Sequence, residues 1–172
     1  RPVKDPFRAA LAARLLPVHS RIQITHVGSA LTPAMEKQAR NEMARNSRYR
    51  WLGEVSNGKA RQLLARSRLL VLTSKMEGGA NVISEAIVAR VPILATKISG
   101  SIGLLGKDYP GYFDVGSTSQ LASLMERCEQ DGNFYDLLRT HVAKLAPDFT
   151  PQREQTALQN LVEEVLAEIG IE

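Results

Sequence analysis

The feature that most constrains this chain is an alternation: short apolar runs of strand length, each followed by a turn and then by a segment of helical periodicity. Residues 21–27 (RIQITHV) alternate as a strand and stop at Gly28, and residues 49–52 (YRWL) form a second that stops at Gly53. Residues 68–73 (RLLVLT) are the most apolar run, residues 92–96 (PILAT) follow, and Tyr112 with Phe113 makes a short last strand. Helices are expected over residues 7–16, with Asp5-Pro6 as cap and first-turn proline; from Thr32-Pro33 to about Arg45, polar and solvated; from a Ser56 cap through Ser67; and after the turn that follows Thr73, as far as Arg90. Residues 98–106 read as a glycine-rich loop with a helical turn, and residues 117–130, 133–145 and 152–168 as three closing helices. Strands joined by helices close as right-handed βαβ units with helices on both faces of a parallel sheet. The expected fold class is therefore α/β, a three-layer α/β/α domain around one parallel sheet.

The 172 residues suit one domain spanning 1–172, with 44% hydrophobic and 23% charged residues, which disfavours a disordered chain. No apolar run approaches the ~20 residues of a membrane span. The 22 basic against 18 acidic residues give +4, a modest excess that favours phosphate-bearing ligands or an anionic membrane surface. The single Cys128 has no disulfide partner in the sequence, which fits a reducing, cytoplasmic setting, with peripheral membrane contact left open. The opening residues 1–6 (RPVKDP) have loop composition, so the chain is expected to be a piece of a longer protein.

In open parallel sheets ligands bind beyond the carboxyl ends of the strands. The turns after Val27, Leu52, Thr73 and Thr96 would gather there, and residues 74–85 (SKMEGGANVISE) are the richest. Glu77 and Glu85 stand eight positions apart with Gly78 and Gly79 between them. A glycine turn at a helix start lets a ligand approach bare backbone, and the helix N-terminus favours anionic or hydroxyl-rich groups. A polar, phosphorylated ligand is expected. Other nucleotide folds are disfavoured, since neither a Gly-x4-Gly-Lys-Ser/Thr loop nor a Gly-x-Gly-x-x-Gly run after a first strand occurs. Arg40, Arg45, Arg48 and Arg50 lack interleaved aromatics and read as a solvated helix face, so no nucleic-acid partner is expected. His26 ends a strand and would face the cleft or be structural, and Trp51 reads as a strand-end core residue.

Glu77-x7-Glu85 after an apolar strand, then Ala86 and residues 91–96 (VPILAT), with residues 50–53 (RWLG), 114–116 (DVG) and Leu121 in order, resembles the group 1 (family 4) retaining glycosyltransferases. Their C-terminal half usually reads Glu-Gly-Phe-Gly, four residues, Glu-Ala and a Gly-Val-Pro-Val strand. The resemblance covers nearly the whole chain. It implies one Rossmann-like half of a GT-B architecture, the C-terminal domain that binds a nucleoside-diphosphate sugar as substrate, with no cofactor and no metal; no Asp-x-Asp motif occurs. It further implies Glu77 as the catalytic-site acid by the transferred sugar and Glu85 as acceptor of the ribose hydroxyls. The backbone of Gly78, Gly79, Ala80 and Asn81 would hold sugar and diphosphate, Lys4 would neutralise the diphosphate, and Trp51 and Leu52 would flank the base. The family's strand and arginine ahead of Lys4 have no counterpart in the sequence. Gly79 stands for the usual Phe, Ala80 for the second Gly, Arg90 for the Gly before Val-Pro, and Ser117 for a common Asp. The base, sugar and acceptor therefore stay open, and the isolated chain is expected to be inactive as a transferase. A nucleotide-sugar epimerase of the same scaffold and a non-catalytic binding domain are the alternatives.

Overall fold

The computed structural model describes residues 2–149. The helix expected over residues 152–168 lies outside the described residues. A 3-10 turn, Pro2–Lys4, leads to α1 (Arg8–Ala13), β1 (Ile24–His26), α2 (Pro33–Arg45), β2 (Tyr49–Trp51), α3 (Asn57–Arg66) and β3 (Leu70–Leu72). There follow α4 (Asn81–Val88), β4 (Ile93–Thr96), α5 (Ser99–Leu105), β5 (Tyr112–Phe113), α6 (Thr118–Gln130), α7 (Gly132–Leu145) and a 3-10 turn, Ala146–Asp148. This is a mixed α/β fold, and among the described residues every strand pair is parallel. Among the described residues no helix is long and apolar enough to cross a membrane.

Local chemistry sets most boundaries. Thr32, Ser56, Ser117 and Asp131 cap α2, α3, α6 and α7 by accepting backbone N–H groups of the first turn. The Asp5-Pro6 cap does not form. Asp5 takes a left-handed φ of 44° and turns its carboxylate to Arg8 Nε at 2.8 Å, so α1 starts only at Arg8, behind Phe7. Residues 98–106 are the second departure. They fold into α5, whose N–H groups of Ile102 and Gly106 reach the carbonyls of Ile98 and Ile102, and Gly106 at φ 85° ends it.

Among the described residues the strands form two sheets, β1-β2 and β3-β4-β5, rather than the single sheet expected. Ile24 pairs with Tyr49 in the first, and Leu70 with Ile93 and Ala95 with Tyr112 in the second. Only β4, flanked on both sides, is buried throughout, and around it lie Ile83, Ile87, Leu105, Leu121, Met125, Leu138 and Val142. β3, the most apolar run in the sequence, is only half-buried, because among the described residues β4 is its sole partner. Helix α2 is also less solvated than its charge suggests. Buried Glu42 accepts from Arg14 Nε (3.0 Å) and Nη2 (2.5 Å) and from Asn46 Nδ2 (2.9 Å), which also reaches Ala10 O and so ties α2 to α1.

Candidate functional site

The carboxyl end of β3 carries the chemistry. Its Thr73 hydroxyl lies 3.0 Å from Lys4 O and 2.9 Å from Asp5 O, and Lys75 N–H donates to Val3 O at 2.7 Å. These bonds lay residues 2–5 across the end of the strand. Arg8, bound to Asp5, also donates from Nη1 to Thr118 Oγ1 at 2.7 Å, anchoring that segment to α6. The Lys4 ammonium consequently meets the Glu77 carboxylate, to which the Ser74 hydroxyl also donates at 2.7 Å. Glu77 is nearly enclosed, its side chain 11% exposed, whereas Lys4 at 43% keeps access to solvent.

The glycines after Glu77 are there for room, not for unusual torsion. Neither Gly78 nor Gly79 has a positive φ, both are exposed, and a Cβ on either would meet nothing within 4 Å. Buried Ala80 is the N-cap of α4, and no side chain caps that helix, unlike α2, α3, α6 and α7. Asn81 opens the helix on the exposed side. On the opposite flank Gly100 of α5 is pressed against the bend: a Cβ there would stand 2.3 Å from Glu77 O. Thr96 Oγ1 donates to Ser74 O at 2.5 Å, so β4 and α5 brace the turn from behind.

Glu85 lies one and a half turns into α4, half-exposed, and accepts from Arg61 Nε of α3 at 3.1 Å. It borders a cavity of about 1060 Å³ together with Lys4, Ser74, His26 and Trp51. Glu77, Gly78, Gly79, Ala80, Asn81 and Leu52 are not on its wall. The two acids thus do not share one surface: Glu85 faces the cavity directly, and Glu77 meets it through Lys4. Trp51 is not the core residue its position suggests. Its indole nitrogen donates to Gly28 O at 2.8 Å, fixing the turn after β1, and the Arg40 guanidinium lies 6.0 Å from its ring centroid. Leu52 donates its N–H to His26 O at 2.9 Å, extending the ladder to the rim.

His26 reaches the same cavity. Its Nδ1 lies 2.6 Å from the Tyr49 hydroxyl, and Phe7 meets it edge-on with ring centroids 6.1 Å apart. Burial lowers the imidazole pKa, and burial, then the charge of Glu42, pushes the Tyr49 phenol up to about 12. A neutral ring accepting the phenol proton at Nδ1 satisfies both groups. Ser74 and Arg61 are site residues that the sequence analysis passed over. Ser74 adjoins the bend and could have been noticed, but Arg61 is one of several basic residues on α3 and only tertiary packing selects it. Chemically, the rim offers an accessible ammonium, an uncapped helix start and a half-exposed carboxylate, a set suited to a ligand with both anionic and hydroxyl groups.

A sequence model of glycosyl transferases group 1 matches residues 1–144. The putative teichuronic acid biosynthesis glycosyltransferase TuaC of Bacillus subtilis (strain 168) is 34% identical over 79 residues, which is 46% of this chain and 20% of that protein. Among solved structures, Anabaena HepE in complex with UDP superposes with a TM-score of 0.79 at 22% identity, over 98% of this chain and 46% of that one. The same protein in complex with UDP-glucose gives 0.78. The chain spans less than half the length of each of these relatives.

Proposed function

Because this chain belongs to the group 1 glycosyltransferases, we propose that it is the donor-binding half of a GT-B enzyme, holding a nucleoside-diphosphate sugar for retaining transfer to an acceptor hydroxyl. The observation that carries this reading is the Lys4–Glu77–Ser74 cluster, set over an exposed glycine bend at the uncapped start of α4. Anabaena HepE was solved with UDP and with UDP-glucose, so a uridine nucleotide is the first donor to test.

In this reading Lys4 and the first amides of α4 take the diphosphate. Glu85 accepts the ribose hydroxyls, displacing the exposed Arg61, a pair worth no more than about 1 kcal/mol. Trp51 and Leu52 flank the base. The sugar lies along Gly78, Gly79 and Asn81, with Glu77 near the carbon that becomes cationic. The bond between that carbon and the diphosphate oxygen breaks with its electron pair leaving on the nucleotide. A bond to the acceptor oxygen forms on the same face, and the acceptor proton passes to the departing diphosphate oxygen. Lys4 and the helix amides supply the leaving-group stabilisation that a metal supplies elsewhere, so transfer is expected to survive chelation. The acceptor side of the cleft and any membrane contact belong to the whole enzyme.

The test is thermal unfolding with UDP, then GDP and ADP. A ligand at ~100 times its Kd adds about 2.7 kcal/mol, or roughly 5–10 °C in Tm for a chain of this size. The shift should vanish in Glu85→Ala and shrink strongly in Lys4→Met. No shift with any nucleotide at millimolar concentration would overturn the proposal in favour of a domain that keeps the fold without the ligand.

A further inference from the structure

Two lysines at the bend have no part in holding the diphosphate. Lys75 lies between Ser74 and Glu77, and Lys97 follows β4 in the position beside Ser74, where the register that pairs Leu72 with Ala95 continues. The bond from Thr96 Oγ1 to Ser74 O fixes the two turns side by side, neighbouring strands being ~4.8 Å apart. From the other direction, Lys75 N–H is bound to the carbonyl of Val3, the residue before Lys4. Lys4, Lys75 and Lys97 therefore leave adjacent stretches of backbone along one carboxyl edge.

That edge carries more positive charge than its own acids take up. Lys4 meets Glu77. Asp5 accepts from Arg8 Nε at 2.8 Å, and Asp114, beside Lys97 in the register of β4 and β5, accepts from Gln120 Nε2 at 2.8 Å. Among the described residues neither Lys75 nor Lys97 belongs to an ion pair, and both are exposed. A single exposed lysine is ordinary. Two on facing turns, next to a third at a nearly enclosed carboxylate, repel one another without structural return.

Their position selects the anion they match. The large cavity is bordered by Glu85, Trp51, Lys4 and Ser74, but neither by the bend of Glu77, Gly78 and Gly79 nor by Lys75 or Lys97. In the donor reading ribose and base therefore lie on the cavity side, the sugar lies along the bend, and the diphosphate bridges them at Lys4 and the first amides of α4. Lys75 and Lys97 stand at the sugar's end of that line. A compact ammonium on a flexible stem suits a small anion such as one carboxylate. There is room for it, since Gly78 and Gly79 are exposed and a Cβ on either would meet nothing within 4 Å. We propose that Lys75 and Lys97 select a donor whose sugar carries a carboxylate, a hexuronic acid. Their ammonium groups donate to that carboxylate and screen it from Glu77, while Lys4 serves the diphosphate. The inference rests on the donor reading and adds to it the class of sugar.

The experiment is calorimetric titration of this chain with UDP, with UDP-glucose and UDP-galactose, and with UDP-glucuronic and UDP-galacturonic acids. Each acid differs from its neutral counterpart only at C6, a carboxylate in place of a hydroxymethyl group. The corresponding guanosine or adenosine sugars serve if GDP or ADP is the nucleotide that binds. At least one acid should bind about tenfold or more tightly than its counterpart, about 1.4 kcal/mol, and the gap should narrow as salt is raised. The double variant Lys75→Met/Lys97→Met should bring the ratio to about one and bind UDP as before. Lys97→Arg alone should keep the preference. Both side chains are exposed, so Tm without ligand should not move in these variants. UDP binding with no preference for either acid overturns the inference and leaves the donor reading standing. A double variant that loses UDP as much as UDP-glucuronic acid also overturns it, since the lysines would then serve the diphosphate. So does a preference seen only for free glucuronate over free glucose in the UDP complex, which would move the charge to the acceptor. Absence of binding by every nucleotide overturns the donor reading and this inference with it.

Discussion

Gly100→Ala tests whether the bend that carries Glu77 is clamped from behind. The new Cβ would stand 2.3 Å from Glu77 O, 2.9 Å from Glu77 C and 3.2 Å from Glu77 Cβ. Non-bonded heavy atoms sit comfortably at about 3.5 Å, so the closest contact is short by about an ångström. The obstacle is backbone, and it cannot swing aside: Ser74 O is held by Thr96, and Ser101 behind Gly100 is fully buried. Overpacking of this kind costs about 1–3 kcal/mol. Alanine returns roughly 0.5–1 kcal/mol of helix propensity. Because the clash is with backbone, the upper end of that cost applies, and the net loss is about 2 kcal/mol, read as a lower denaturation midpoint at unchanged m, or a Tm drop of roughly 4–8 °C. Gly103→Ala is the control, because it lies in the same helix and its Cβ would meet nothing within 4 Å, so it should be neutral or stabilising. A Gly100→Ala protein as stable as Gly103→Ala would refute the reasoning and detach α5 from the bend.

Two further substitutions probe the scaffold. Buried Tyr109 accepts Ile93 N–H at 3.1 Å and donates to Ile93 O at 2.6 Å, so Tyr109→Phe strips two partners from the central strand. It should cost about 1–3 kcal/mol in chemical unfolding, and a loss below ~0.5 kcal/mol would contradict that. Burial holds the His26 pKa below the ordinary value of about 6.5. Between the two values the unfolded chain binds the extra proton, so stability rises with pH through that interval, is complete above about 6.5, and is lost as pH falls toward the folded value. His26→Gln should flatten this slope, and an unchanged slope would move its origin elsewhere.

What the sequence disclosed and what it hid divide along physical lines. Strand-length apolar runs and first-turn oxygens act locally, and both were legible: β1 to β5 fall within the expected runs, and the helix starts at Thr32 and Ser56 are where they were expected. Helix α5 was hidden because its opening Ser-Gly-Ser has little helix propensity. Its stability comes from the close approach of Gly100 to Glu77 and the burial of Ser101 and Leu105. The Asp5 cap failed for a similar reason: Thr73 and Arg8 hold the segment in a left-handed turn that no local rule anticipates. The split sheet could not be read at all, since each strand looks the same with one partner or two. At the site, the bend was legible from its glycines, but the pairing of Glu77 with Lys4 and of Glu85 with Arg61 depends on contacts across 73 and 24 residues.

Those pairings bear on how an anion could be held. An ammonium already matched to a carboxylate has less to offer a diphosphate, so the Lys4–Glu77 contact looks at first like an argument against the donor reading. The partners are unequal, however. Glu77 is almost enclosed and keeps the Ser74 hydroxyl whether or not Lys4 remains, while Lys4 is nearly half-exposed on a long, flexible stem. A pair with one such exposed member contributes little, about 0–1 kcal/mol. Two or three charge-assisted bonds to phosphate oxygens, at roughly 1.5–3 kcal/mol each, outweigh it. Lys4 can therefore swing toward a ligand at small cost and leave behind a carboxylate still hydrogen-bonded. That carboxylate would regain value only when positive charge develops on the sugar beside it, which is where an acid at this position stabilises the transition state more than the bound donor.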